Sequence, residues 1–186
     1  MKKRSFLFVQ LDRSFHELAS HAHKSDSFDL NQAFFAGSRL QWGDLLKGYR
    51  NVILSEAGSG KTEEIRQTAD RLREEGKKAF FLRLEHIPDD FDGAFEVGTL
   101  DEFEEWLAST DEGWLLLDSG DEARLRNPGD FERAVRKLGR RIQAACTRAH
   151  IVLTGRTSAW RAKTDLELCE RHLPIPPETT KVAANK

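Results

Sequence analysis

The sequence has no long apolar run, two cysteines, one methionine, and almost no net charge, with 29 lysines and arginines against 31 acidic residues. Each shortage excludes something. A membrane-spanning helix requires about 20 consecutive apolar residues, and no stretch here approaches that. Met1-Lys2-Lys3-Arg4 before Phe6-Leu7-Phe8-Val9 has the charge of a secretory signal. Its apolar run is too short, however, and no small-residue cleavage site follows. Cys146 and Cys169 match no metal-ligand spacing and read as reduced packing residues, as in a cytoplasmic protein. Balanced charge argues against an overall commitment to nucleic acid or an anionic membrane. A chain of 186 residues can bury roughly 70% of its unfolded surface without a covalent staple.

What is present is an alternation of two periods. Val52-Ile53-Leu54, Ala79-Phe80-Phe81-Leu82, Trp114-Leu115-Leu116-Leu117 and Ile151-Val152-Leu153 are short apolar runs bounded by polar residues, which predicts buried strands. Leu166 to Leu173 is read as a fifth, and Phe6 to Leu11 as a short strand in the extension. Between them lie helical patterns. One runs from Lys61 to Glu75, with Ile65, Ala69 and Leu72 on one face and Gly76 as its left-handed stop. Another is opened by Thr99 and Glu102 as a capping box. A third starts with Pro128 at its first position and carries the stripe Phe131, Val135, Leu138, Ile142, Ala145. Leu40 to Leu46 also has helical spacing. The pattern predicts an α/β fold in three layers, a mostly parallel five-stranded sheet wrapped by helices. Residues 1–37 read as an N-terminal extension, 38–177 as the core and 178–186 as a linker or tail.

Ser55-Glu56-Ala57-Gly58-Ser59-Gly60-Lys61-Thr62 follows the first core strand and opens a helix. It meets the phosphate-loop pattern G-x-x-x-x-G-K-[ST], except that Ser55 replaces the first glycine. Glycines allow successive backbone N–H groups to turn inward on phosphate oxygens, and the helix adds the positive end of its dipole. Ala57, Gly58, Ser59, Gly60, Lys61 and Thr62 are therefore the candidate nucleotide-binding residues. Lys61 is assigned to the β- and γ-phosphates and the Thr62 hydroxyl to Mg²⁺. Glu63 and Glu64 suit a helix N-terminus and are expected to face solvent, away from anionic phosphate.

Leu115-Leu116-Leu117-Asp118 has the Walker B form, in which an apolar strand delivers a carboxylate beside the phosphate loop. Asp118 is the second candidate metal residue. The position after it is Ser119, and Asp121-Glu122 follow. Glu122 is the candidate for orienting or deprotonating the attacking water, with Asp121 as a second polar organiser. The competing reading gives these two carboxylates a capping role alone. Thr154-Gly155-Arg156 puts a guanidinium at the end of the next strand, where Arg156 can detect the γ-phosphate or stabilise transferred charge. All three clusters fall at carboxyl ends of predicted strands, the edge that carries ligands in open α/β sheets.

Asn51 to Thr62, Leu115-Leu116-Leu117-Asp118-Ser119-Gly120-Asp121-Glu122, and Ile151 to Arg156 together resemble the signal-transducing STAND NTPases, the NACHT group above all. The resemblance covers about Leu40 to Ile175. It implies a P-loop NTPase driven by ATP and Mg²⁺, a switch closed with ADP and opened by a partner, and homo-oligomers on activation. Bacterial members of that group serve in defence against phage. The lid and winged-helix regions that follow the core in the family are not in this sequence, so the resemblance implies a piece of a longer chain. GTP is the lesser alternative to ATP; the G-protein signature N-K-x-D is not found. Two other readings remain beside a hydrolysing module: a non-hydrolysing nucleotide-binding scaffold, and a DNA-directed ATPase.

Other features are assigned blander roles. His16, His21 and His23 lack a cysteine or carboxylate cluster and read as solvent-facing. Arg133, Arg136, Lys137, Arg140, Arg141 and Arg148 read as the solvated face of an amphipathic helix, with a nucleic-acid patch as the sharper alternative. Trp42, Trp106, Trp114 and Trp160 read as core or interface anchors.

Overall fold

A computed structural model of the chain describes residues 15–16, 39–56, 58–118, 127, 129–173 and 175–176. The strand read at Phe6 to Leu11, together with His21 and His23, lies outside them. Seven strands are described: β1 (Phe15–His16), β2 (Arg39–Leu40), β3 (Arg50–Ser55), β4 (Lys78–Arg83), β5 (Phe95–Val97), β6 (Gly113–Asp118) and β7 (Ala149–Arg156). The helices are α1 (Trp42–Leu45), α2 (Lys61–Glu74), α3 (Leu100–Ala108), α4 (Asp130–Arg141) and α5 (Ala162–His172), with a 3₁₀ turn at Gln143–Arg148.

β1 and β2 form an antiparallel pair, and the other five strands make one sheet in the order β3-β7-β6-β4-β5. Neighbours among β3, β7, β6 and β4 are parallel, while β5 is antiparallel to β4. Alternate residues serve opposite faces, as the pleat requires. Phe80, Leu82, Leu115, Leu117, Ile151 and Leu153 join the α3 and α4 side chains Phe103, Trp106, Phe131, Val135 and Leu138 in one core. Ala79, Phe81, Trp114, Leu116 and Val152 meet Ile65, Ala69 and Leu72 of α2 in the other. Helices thus cover both faces, and every residue of β6 is buried. A continuous apolar run such as Trp114 to Leu117 is what a strand shielded on both sides needs.

Among the described residues the sheet has five strands, but the fifth is not the segment expected. Leu166 to Leu173 belongs to α5, not to a strand. Ala162, Asp165, Cys169 and Leu173 are buried at spacings of three and four residues, a helical period. The Asp165 carboxylate also accepts the Arg161 N–H at 2.7 Å. The actual fifth strand is the three-residue edge Phe95–Val97. Two further boundaries differ. Arg39–Leu40 forms β2, which shortens the helix read from Leu40 to Trp42–Leu45. Helix α4 starts at Asp130 with Gly129 as its cap, later than a start at Pro128, which lies outside the described residues.

The capping box on α3 is as expected. The Glu102 N–H donates to Thr99 Oγ1 at 3.2 Å, and the Thr99 N–H donates to Glu102 Oε2 at 3.0 Å. Arg73 of α2 donates to Glu102 Oε1 at 2.6 Å and holds that carboxyl below its ordinary range. Thr99→Ala is expected to cost about 1 kcal/mol, the usual value of an N-cap, readable as a lower denaturation midpoint with an unchanged slope.

At the far end of α5, burial above all, with Arg136 and Arg171 adding to it, pushes the His172 imidazole below its ordinary value of 6.5. A depressed imidazole in the folded state means that the unfolded chain binds the proton more readily. The His172 contribution to stability is therefore complete above about pH 6.5 and lost as pH falls below it. Denaturation at pH 7.5 and 5.5 should show a larger acid loss for the parent than for His172→Asn.

Candidate nucleotide site

The site assembles at the carboxyl edge of the sheet. Ser55 ends β3 in register with Arg156, which ends β7. Asp118 ends β6 in register with Arg83, which ends β4. Between β3 and α2 the chain must reverse within a few residues, and it does so through Gly58 (φ 72°) and Gly60 (φ 81°). A Cβ on Gly58 would touch nothing within 4 Å, so glycine is required there by backbone conformation, not by crowding. Gly60 caps α2 in the left-handed region. The first N–H groups of a 14-residue helix consequently begin at the loop, where unsatisfied donors and the dipole favour an anion.

Lys61 curls back over the loop. Its Nζ donates to the carbonyls of Ser55 at 3.1 Å and Glu56 at 2.9 Å, and reaches Ser59 Oγ at 3.4 Å. The Ser55 and Ser59 hydroxyls are 2.9 Å apart and share a hydrogen bond. Ser55 lies within the strand, so the serine that replaces the first glycine meets no left-handed strain; its side chain instead closes the loop on itself. Glu63 is exposed and accepts from Gln67 Nε2 at 2.9 Å. Glu64 departs from the solvent-facing expectation. It is half-buried and accepts the Trp42 indole N–H at 2.7 Å, which turns its charge toward α1.

Thr62 and Asp118, 56 residues apart in sequence, meet directly: Thr62 Oγ1 donates to Asp118 Oδ2 at 2.5 Å. The other oxygen, Oδ1, accepts the Thr154 hydroxyl at 2.6 Å. Asp118 is 3% exposed, and Arg83 Nη1 stands 3.8 Å from Oδ2. A hydroxyl and a carboxylate are the oxygen donors a hard cation such as Mg²⁺ takes, one or two from protein with phosphate and water completing its shell; here they bond each other and would have to part to hold one. Among the described residues no group of three or more His, Cys, Asp or Glu is arranged as an all-protein metal cage.

Of the candidates read from sequence, Gly58, Ser59, Gly60, Lys61, Thr62, Asp118 and Arg156 come together at this edge. Ala57, Asp121 and Glu122 lie outside the described residues. Thr154 and Arg83 received no role from the sequence, yet both flank the Asp118 carboxylate. Thr154 is a fully buried hydroxyl in an apolar strand, and Arg83 is the residue just past Leu82; each was legible as a polar group at a strand's carboxyl end.

Neither protein-family models nor curated protein sequences match this chain. Geometry must therefore carry the functional reading.

Two other features bear on it. A cavity of about 930 Å³ opens at the opposite, amino edge of the sheet, lined by Trp42, Tyr49, Trp114 and His150 among others. Tyr49, His150 and Trp114 stack face to face there, with ring centroids 4.7 and 4.9 Å apart. Several cations of the basic run on α4 and the 3₁₀ turn after it have partners within the chain. Arg133 pairs with Asp130, Arg136 with Glu132 and Arg141 with Glu104. Arg148 donates to the carbonyls of Trp106, Leu107 and Asp111.

Proposed function

We propose that this chain is an ATP·Mg²⁺-binding module that hydrolyses ATP slowly, the regulatory NTPase core of a larger STAND/NACHT-like signalling protein of the anti-phage defence kind. The observation that carries the reading is the meeting of Thr62, at the start of the glycine-loop helix, with the buried Asp118. No structural demand of an ordinary strand-to-helix turn requires a hydroxyl and a carboxylate to converge beside a lysine-capped loop. In this reading the loop N–H groups and Lys61 bind the phosphates, with Lys61 exchanging its bonds to the Ser55 and Glu56 carbonyls for phosphate oxygens. Thr62 and Asp118 hold the metal, which when bound neutralises phosphate charge and orients the terminal phosphoryl group. Thr154 fixes the carboxylate from its far side. Arg156, beside Ser55, meets the terminal phosphate, and Asp121 and Glu122 organise water. The partners are nucleotide, the remainder of a longer chain, and further copies on activation.

The test is a nucleotide titration with Mg²⁺ and again with EDTA. The parent should bind ATP about tenfold more tightly with Mg²⁺, a difference of about 1.4 kcal/mol, and Asp118→Asn should remove that difference. Equal affinity in both conditions would count against the assignment of Thr62 and Asp118. Glu122→Gln separates hydrolysis from scaffolding. Turnover that stops while binding persists places Glu122 in the water-handling role, whereas a parent that binds without turnover favours the scaffold.

A further inference from the structure

The proposed chemistry gives Arg83 no part, yet Arg83 contacts its central carboxylate. The two residues are register partners on neighbouring strands, with Arg83 Nη1 3.8 Å from Asp118 Oδ2. That is the oxygen which also accepts the Thr62 hydroxyl. On its other side the guanidinium meets the edge strand, Nε lying 3.6 Å from Glu96 Oε1. Glu96 in turn accepts from Arg66 Nη2 of α2 at 3.2 Å. The Arg83 and Arg66 guanidinium carbons each stand 6.0 Å from the Phe81 ring centroid, and Arg83 lies between the two carboxylates of Asp118 and Glu96.

We propose that Arg83 is the counter-ion of Asp118 in the nucleotide-free protein, and that a divalent cation must take Asp118 Oδ2 from it while Glu96 holds the displaced guanidinium. A buried carboxylate requires both hydrogen bonds and compensating charge. Thr62 and Thr154 supply hydrogen bonds, and Arg83 supplies the charge. A metal held between Thr62 and Asp118 competes for the same oxygen and repels the guanidinium. Glu96, already 3.6 Å from Arg83 Nε, then keeps an opposite charge beside the guanidinium. Arg83 is thus a positioning residue that sets how much Mg²⁺ the site demands. The inference rests on the reading of Thr62 and Asp118 as the metal residues.

The experiment is a Mg²⁺ titration of the full chain at fixed concentration of a fluorescent ATP analogue, beside denaturation without nucleotide. Arg83→Gln is expected to lower the Mg²⁺ needed for half-saturation by about fivefold, the scale of a partly exposed ion pair. It should also lower the denaturation midpoint of the nucleotide-free protein, and Arg83→Lys should restore parental behaviour in both. Glu96→Gln should shift the Mg²⁺ requirement the other way, which keeps the test decisive if Arg83→Gln folds poorly. A purely structural arginine predicts weaker metal-dependent binding on removal. A parent that binds Mg²⁺ and nucleotide while Arg83→Gln leaves the requirement unchanged or raises it overturns the counter-ion role alone. A parent that binds no nucleotide under any condition overturns the proposed function, and this inference with it.

Discussion

Lys61→Ala is expected to weaken ATP binding by roughly 30- to 150-fold, because a hydrogen bond to a charged group is worth about 2 to 3 kcal/mol. The upper end is tempered by what Lys61 already does. Its ammonium bonds the Ser55 and Glu56 carbonyls and reaches the Ser59 hydroxyl, and some of those contacts are surrendered when phosphate arrives. The same contacts predict that the variant folds. The loop carbonyls are accessible to water once the lysine is gone, so the stability cost should stay under about 1 kcal/mol. Calorimetric titration of parent and variant, with a denaturation curve for each, separates the two effects. A variant that loses binding and stability together would make Lys61 a structural strut. One that keeps full affinity would remove the loop from nucleotide binding.

The second large effect lies far from the site. Gly139→Ala should destabilise the fold by about 2 kcal/mol, although alanine is the better helix former by about 1 kcal/mol. Gly139 is buried on α4, and a Cβ there would fall 2.1 Å from the His172 carbonyl oxygen and 3.0 Å from its carbon. These are backbone atoms at the end of α5, so no side-chain rotation relieves the clash and the helices must separate. Overpacking of that kind costs about 1 to 3 kcal/mol or more and outweighs the propensity gain. For a domain of this size the thermal midpoint should drop by roughly 4 to 8 °C. Gly43→Ala is the control. Nothing lies within 4 Å of its Cβ, so only helix propensity acts and stability should rise slightly. Equal outcomes for the two substitutions would contradict the close α4–α5 approach.

The parts of the fold legible in sequence were those written by a strong local rule. Trp114 to Leu117 had to be a doubly covered strand because no polar residue interrupts it, and Thr99 with Glu102 had to start a helix because each satisfies the other's backbone. Leu166 to Leu173 misled because its apolar residues are close together; the buried Asp165, which reads as polar, is what completes the helical period. Phe95–Val97 was invisible because three residues carry no periodicity, and its place at the sheet edge is set by pairing with Phe81 and Leu82. At the candidate site, the glycine loop and Asp118 could be read because spacing and residue type coincide there. Arg83 and Thr154 were visible only as polar groups at strand ends, and their place beside Asp118 was not, because it arises from strand order. β6 lies between β7 and β4, and only that adjacency brings a threonine and an arginine to opposite sides of one carboxylate.

The most direct test of the central claim is where nucleotide touches the chain, read from backbone amide resonances during titration with ATP and Mg²⁺. The account predicts the largest shifts at Gly58, Ser59, Gly60, Lys61 and Thr62, with Asp118 and Arg156 following and Tyr49, Trp114 and His150 unmoved. Shifts centred on that aromatic cavity at the amino edge, or none at saturating nucleotide, would contradict it.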